Sequence, residues 1–114
     1  MLLINKIKMN FKNVTVDKKS NVYFDGKVTS RNITFDDGST KTLGLMLEGE
    51  YEFNTSQKEI MEITSGELNV LINGEVDWKI YKEGTYFEVP ANSSFQVKVN
   101  KETNYCCSYI EANG

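Results

Sequence analysis

The chain has 114 residues, 13 basic and 16 acidic side chains, a net charge of −3 and no histidine. That length makes one domain, able to bury roughly two-thirds of the surface its unfolded chain exposes. The balanced charge offers no basic stripe for nucleic acid, and no run of about 18 apolar residues is present to span a membrane. Without imidazole there is no Ser-His-Asp or Cys-His site and no His-based zinc triad.

Alternation with period two runs through the chain, and helical periodicity is nearly absent. Residues 1–20 are read as an N-terminal arm, with an edge strand over 11–16 and a loop at Lys18, Lys19 and Ser20. Its opening M-L-L-I-N-K-I-K-M-N is broken by charge too often for a signal segment, so a cytoplasmic location is expected. The domain proper is expected over 21–114, starting with strands at 22–28 and 32–35. Asp36-Asp37-Gly38-Ser39 is a turn, because Asp accepts local backbone bonds and Gly supplies positive φ.

A long strand over 41–53 follows, with Leu43, Leu45, Leu47, Tyr51 and Phe53 alternating against Glu48, Glu50 and Glu52. Residues 54–58 form a loop, and 59–64 with 67–72 are read as a hairpin across Ser65-Gly66. Asn73-Gly74 predicts a type I′ turn into a strand at 76–81. A turn at Lys82-Glu83-Gly84 leads to a strand at 85–89, which ends at the only proline, Pro90. Phe95, Val97 and Val99 alternate on the next strand, and Tyr105, Cys107 and Tyr109 on the last. About ten short strands with turns between them make an antiparallel barrel or sandwich. Cys106 and Cys107 point to opposite faces of a strand, so they are poorly placed to pair and are read as reduced and structural.

Two blocks carry a resemblance. In residues 44–66, G-L-M-L-E-G-E-Y-E-F-N-T-S-Q-K-E-I-M-E-I-T-S-G, Gly44 is followed at intervals by Glu50, Glu52, Glu59 and Gly66. In residues 84–99, five residues separate Gly84 from Pro90, and Phe95 follows. This resembles the two cupin motifs, Gly–His-x-His–Glu–Gly and Gly–Pro–His, with Glu50, Glu52, Glu59 and Phe95 at the metal-ligand positions. Three carboxylates suit a hard cation, but the aromatic and the lack of imidazole argue against a transition-metal site. No metal is expected.

More of the chain resembles one family within that fold. Y-F-D-G-K-V (23–28), G-L-M-L-E-G-E-Y-E-F-N-T (44–55), E-I-M-E-I-T-S-G-E-L-N-V (59–70), D-W-K-I-Y (77–81), F-E-V-P-A-N-S-S-F (87–95) and Y-C-C-S-Y (105–109) are similar to the pyrimidine/purine nucleoside phosphorylase family. The resemblance implies an all-β, single-domain, cupin-type antiparallel barrel of jelly-roll kind. It implies a homodimer and phosphorolysis of many purine and pyrimidine nucleosides to free base and ribose 1-phosphate. It also implies no metal and no cofactor, with inorganic phosphate as co-substrate. The partners expected are nucleosides and phosphate, with neither nucleic acid nor membrane. A non-catalytic cupin that binds a sugar or nucleotide, or a dimeric interaction module, is the rival.

Phosphorolysis passes through an oxocarbenium-like state and gains from a carboxylate at the sugar. Glu50 is the first candidate and Glu59 the second. Glu59 shares its face with Met61 and Ile63, so it is either at the mouth of an apolar interior or a ladder-end charge. Glu48, Glu50 and Glu52 cannot all sit unpaired inside a barrel, and a bulge at Gly49 would switch the face. Tyr51, Phe53, Phe87, Phe95 and Tyr105 either wall in the base or pack the core, and Met61 is pocket wall or core filler. Trp78 is read as packing on the outer sheet. Thr55 offers a hydroxyl in the loop before Glu59. For phosphate the candidates are Lys27, Arg31, Lys41 and Ser56.

Overall fold

The computed structural model describes residues 9–111, so residues 1–8 of the expected arm lie outside the described residues. Nine strands occur among the described residues: β1 (Thr15–Val16), β2 (Asn21–Tyr23), β3 (Val28–Thr34), β4 (Thr40–Met46), β5 (Gly49–Asn54), β6 (Lys58–Ile72), β7 (Lys79–Lys82), β8 (Thr85–Val89) and β9 (Ser94–Ile110). A 3-10 turn at Phe24–Gly26 stands between β2 and β3. Every pairing is antiparallel.

Two strands dominate. β6 and β9 have 15 and 17 residues and pair with each other from Lys58↔Ile110 to Ile72↔Phe95. Their halves take different second neighbours. The first half of β6 pairs with β8 and its second half with β7. The second half of β9 pairs with β4 and its first half with β5. β3 continues from β4 and carries β1 and β2. The result is two facing layers joined by the bent long strands, a jelly-roll-like, cupin-type all-β fold. The hydrogen-bonded path is open, running from β1 to β7.

The bend has a specific cause. The β6–β9 register shifts between Ile63 and Leu68. Gly66 there has φ 97, and a Cβ on it would lie 2.5 Å from the Glu102 carbonyl oxygen and from Thr103 Oγ1. The fully buried Thr103 hydroxyl accepts the Glu67 N–H (3.2 Å) and donates to the Lys101 carbonyl (2.7 Å), satisfying backbone groups that the irregular ladder leaves over. The expected hairpin at Ser65-Gly66 is therefore a bulge inside one continuous strand.

A second irregularity sets which side chains enter the interior. The expected strand 41–53 is two strands with a corner at 47–48. Tyr51 folds back so that its hydroxyl donates to the Leu47 carbonyl (2.7 Å), and its ring leaves no room for a side chain at Gly49, whose φ is 155. The phase flips across this corner. Thr42 and Met46 are buried on β4, Tyr51 is buried and Phe53 half-buried on β5, while Leu43 and Leu47 face solvent. The leucines that alternate with Tyr51 and Phe53 in sequence thus lie on the outer row of β4, opposite in phase to the two aromatics. Glu48, Glu50 and Glu52 are all exposed.

Other boundaries moved for local reasons. Left-handed Asn13 (φ 57) shortens the first strand to Thr15–Val16, and left-handed Phe24, Asp25 and Gly26 interrupt the strand expected over 22–28. Gly74 (φ 94) supports a turn closed by Glu75 N–H to the Ile72 carbonyl (2.9 Å). Asn73 is not left-handed, so the turn is not type I′, and β7 begins only at Lys79. The two strands expected at the C-terminal end are the single β9. Trp78 stands just before β7, 36% exposed, with Lys98 Nζ 4.3 Å from its ring centre. Among the described residues no helix is long and apolar enough to cross a membrane.

Gly66→Ala should lower stability by about 2–4 kcal/mol, because strain and overpacking add. Gly74→Ala, with open space around its Cβ, should lose only the conformational part, about 1 kcal/mol. Urea unfolding of both variants checks this, and equal losses would refute the bulge as the locking point.

Candidate active site

Between the layers lies a cavity of about 520 Å³, within the range of small-molecule sites. One wall comes from β3, β4, β9 and β6, whose inward rows are set by register. Ser30 lies opposite Gly44, and Gly44 opposite Tyr105. Thr42 pairs with Cys107 and Cys107 with Met61, while Glu59 pairs with Tyr109. Ser30, Thr42, Tyr105, Cys107, Tyr109 and Glu59 thus converge on one surface. Gly44 is needed there, since a Cβ would meet the Tyr105 hydroxyl and the Thr29 carbonyl at 2.5 Å.

The facing wall is aromatic. Phe53 and Phe95 stack with ring centres 5.4 Å apart, and Phe24 sits edge-on to Phe53 at 5.5 Å. Tyr23 and Phe24 form part of the lining and are themselves 47% and 43% exposed, which puts them at the opening. Met46 and Met61 complete the apolar surface, and exposed Glu52 and Asn54 line the rim.

The polar wall is a connected set. Thr42 Oγ1 and the Tyr109 hydroxyl are 3.1 Å apart, and the Cys107 thiol donates to Glu59 Oε1 at 3.5 Å. Burial pushes the Tyr105, Tyr109 and Cys107 groups well above their ordinary range, so all three stay protonated at neutral pH and can donate. Burial also raises Glu59, and the thiol's hydrogen bond offsets part of that rise. Among the described residues no lysine or arginine lines the cavity.

Five of the residues singled out in the sequence meet here: Glu59, Phe53, Met61, Phe95 and Tyr105. Others do not. Glu50, expected at the sugar, is exposed on the outer face of β5 opposite Lys98, because the corner before Gly49 turned that row outward. Tyr51 is spent on the corner. Phe87 is core, packed between Tyr81 and Phe95. Thr55 Oγ1 donates to the Pro90 carbonyl (2.6 Å) and accepts the Ser93 N–H (3.0 Å), tying two loops together. Lys27 and Ser56 are exposed, Arg31 donates to the Lys18 carbonyl, and Lys41 Nζ lies over the Phe11 and Phe35 rings. None of the four expected phosphate ligands lines the cavity.

Tyr23, Phe24, Ser30, Thr42, Met46, Cys107 and Tyr109 were missed as site residues. The signal for Thr42 and Met46 was their two-residue spacing about Gly44, masked by the more apolar leucines between them. Cys106, next to Cys107, is buried on the opposite face, and its thiol is pushed up to about 11, chiefly by burial.

The family model for pyrimidine/purine nucleoside phosphorylase matches residues 18–109. A relative of that name from Sulfurovum is 59% identical over 88% of this chain and 97% of its own. One from Leptospira interrogans is 58% identical over 89% and 95%. Among solved structures, an Acinetobacter protein of unknown function superposes with a TM-score of 0.87 at 40% identity, covering 89% of this chain and 98% of that one. An RmlC-like cupin from Shewanella frigidimarina has a TM-score of 0.65 at 16% identity over 91% and 90%, a likeness of fold alone.

Because the folded chain holds the Glu59 proton more tightly than the unfolded chain, stability from this group is greatest below its ordinary value of 4.5. It falls as pH rises through the raised folded value. Glu59→Gln removes the charge and should therefore melt higher than the parent at pH 7, with the difference vanishing near pH 4. Calorimetric melting across that range checks it, and a variant that melts lower at pH 7 would show that burial is not what raises the carboxyl.

Proposed function

The chain belongs to the pyrimidine/purine nucleoside phosphorylase family, and from that footing we propose that it phosphorolyses a broad range of nucleosides to free base and α-D-ribose 1-phosphate without a metal. The observation that carries this reading is the two-sided cavity, with an aromatic wall opposite a wall of hydroxyls, a thiol and one carboxylate.

The chemistry follows from the two sides. A base lies against Phe53 and Phe95, whose rings offer stacking area and no hydrogen-bonding group, so one surface accepts purines and pyrimidines alike. The sugar then meets the polar wall. An oxygen of hydrogen phosphate bonds to C1′ as the C1′–N bond breaks, the bonding pair leaves with the base, and the proton given up by the phosphate ends on the departing nitrogen. Ionised Glu59 opposes the positive charge that grows on the ribose ring. Phosphate is held by neutral donors, Ser30, Thr42, Tyr105 and Tyr109, in place of the lysines and the arginine singled out in the sequence. Metal independence accords with the side chains at hand, since no three His, Cys, Asp or Glu among the described residues group as ligands. In the homodimer of this reading, Leu43 and Leu47, 40% and 39% exposed, are apolar surface for a second copy to bury.

Uridine and adenosine should release free base in phosphate buffer, at a rate unchanged by chelator, and not in phosphate-free buffer. Release without phosphate would make the enzyme a hydrolase, and a chelator-sensitive rate restored by added metal would overturn metal independence. Glu59→Gln should lower kcat on the order of 10²-fold, whereas Glu50→Gln should stay within about twofold, as an exposed substitution does. The reverse order would return the sugar to Glu50. Light scattering that reads a monomer at micromolar concentration would count against the dimer.

A further inference from the structure

We infer that Phe24 is a specificity-determining residue, held over the cavity opening to contact the distal edge of a purine base. The inference rests on the proposed nucleoside site and concerns a residue outside its polar wall. Three consecutive residues, Phe24 (φ 52), Asp25 (φ 56) and Gly26 (φ 89), are left-handed. Glycine adopts that conformation freely and aspartate tolerates it, but for phenylalanine it is a true outlier. The turn is held at both ends: Tyr23 pairs with Val28 and Val28 with Met46, the Lys27 N–H bonds to the Phe24 carbonyl (3.1 Å) and the Leu47 N–H to the Lys27 carbonyl (2.8 Å). A Cβ at Gly26 would meet nothing within 4 Å.

Core burial does not account for the strain, since Phe24 stays 43% exposed. What the conformation achieves is placement. The ring rests on Tyr51 at 4.9 Å and stands perpendicular to Phe53 at 5.5 Å, at the cavity lining beside Tyr23. Strained residues over-determined by their surroundings cluster where a ligand is clamped. Phe53 and Phe95 are nearly parallel, with an interplanar angle of 30°. A base stacked on them therefore meets Phe24 edge to face. The two-ring purine reaches that edge, and the single ring of a pyrimidine stops short of it. Phe24 then adds affinity for purines and little for pyrimidines, on a wall otherwise indifferent to the base.

The test is the dissociation constant of adenosine and of uridine, measured calorimetrically in phosphate-free buffer for the parent, Phe24→Gly and Phe24→Leu. Phe24→Gly should weaken adenosine about tenfold, the size of one aromatic contact to a base, and uridine by less than about threefold. Its melting temperature should not fall far, because glycine relieves the left-handed strain. Phe24→Leu keeps the apolar packing if the glycine variant does not fold, and should weaken adenosine by a smaller factor in the same direction. Unchanged affinities, equal losses for both nucleosides, or a parent that binds neither would overturn the proposal. A parent that binds both nucleosides but releases no base with phosphate would instead sink the reaction proposed above and leave the affinity comparison to decide on Phe24.

Discussion

The structure depends on two long strands that must pair with each other and bend together. β6 and β9 run antiparallel through both layers, and every other strand except β1, β2 and β3 pairs directly with one of them. If they ran straight, their halves would lie in one plane and enclose nothing. The bend is concentrated where Gly66 presses against the backbone at Glu102 and Thr103. Thr103 contributes what glycine cannot, a buried hydroxyl that stands in for ladder partners displaced by the bulge. The cavity lies between the layers that these two strands join.

What the sequence revealed followed how local each cause was. Strand β8 was legible to the residue, since alternation at Phe87 and Val89 meets turns on both sides. The inward alternation of Phe95, Val97 and Val99, and of Tyr105, Cys107 and Tyr109, was legible for the same reason, although the continuity of the two runs in one strand was not. Misreadings arose where a distant partner decides. Ser65-Gly66 has the composition of a tight turn, and only pairing of both flanks with β9 makes it a bulge. A local tie can mislead as well: Leu43 and Leu45 share the apolar alternation of Tyr51 and Phe53, but the Tyr51 hydroxyl pins a corner at Leu47 across which the phase flips. Charge is plain in a sequence but direction is not, which is why Lys27, Arg31 and Lys41 drew attention while Ser30 and Thr42 did not. Phe24 carries no local mark of a left-handed residue beyond the Asp-Gly that follows it.

The site itself is built on neutrality. Its phenols and thiol are held protonated by burial, and its two lining carboxylates differ in setting: Glu59 is half-buried beneath a thiol, and Glu52 is open to solvent at the rim. On the function proposed above, a neutral nucleoside would meet mostly uncharged groups here, with Glu59 the one carboxylate on the inner wall. Fixed dipoles that are already oriented need no rearrangement when charge develops on the sugar. Gly44 belongs to this design, because the space of its missing side chain is occupied by Tyr105.

Trp78 is the only tryptophan in the chain, and it sits outside all of this, just before β7 with Lys98 over its ring. Its emission is therefore a label for the start of β7. Trp78 does not line the cavity, so its fluorescence is placed to follow loosening of β7 from β6. Optical titrations of this protein read its fold at one place and its chemistry at another.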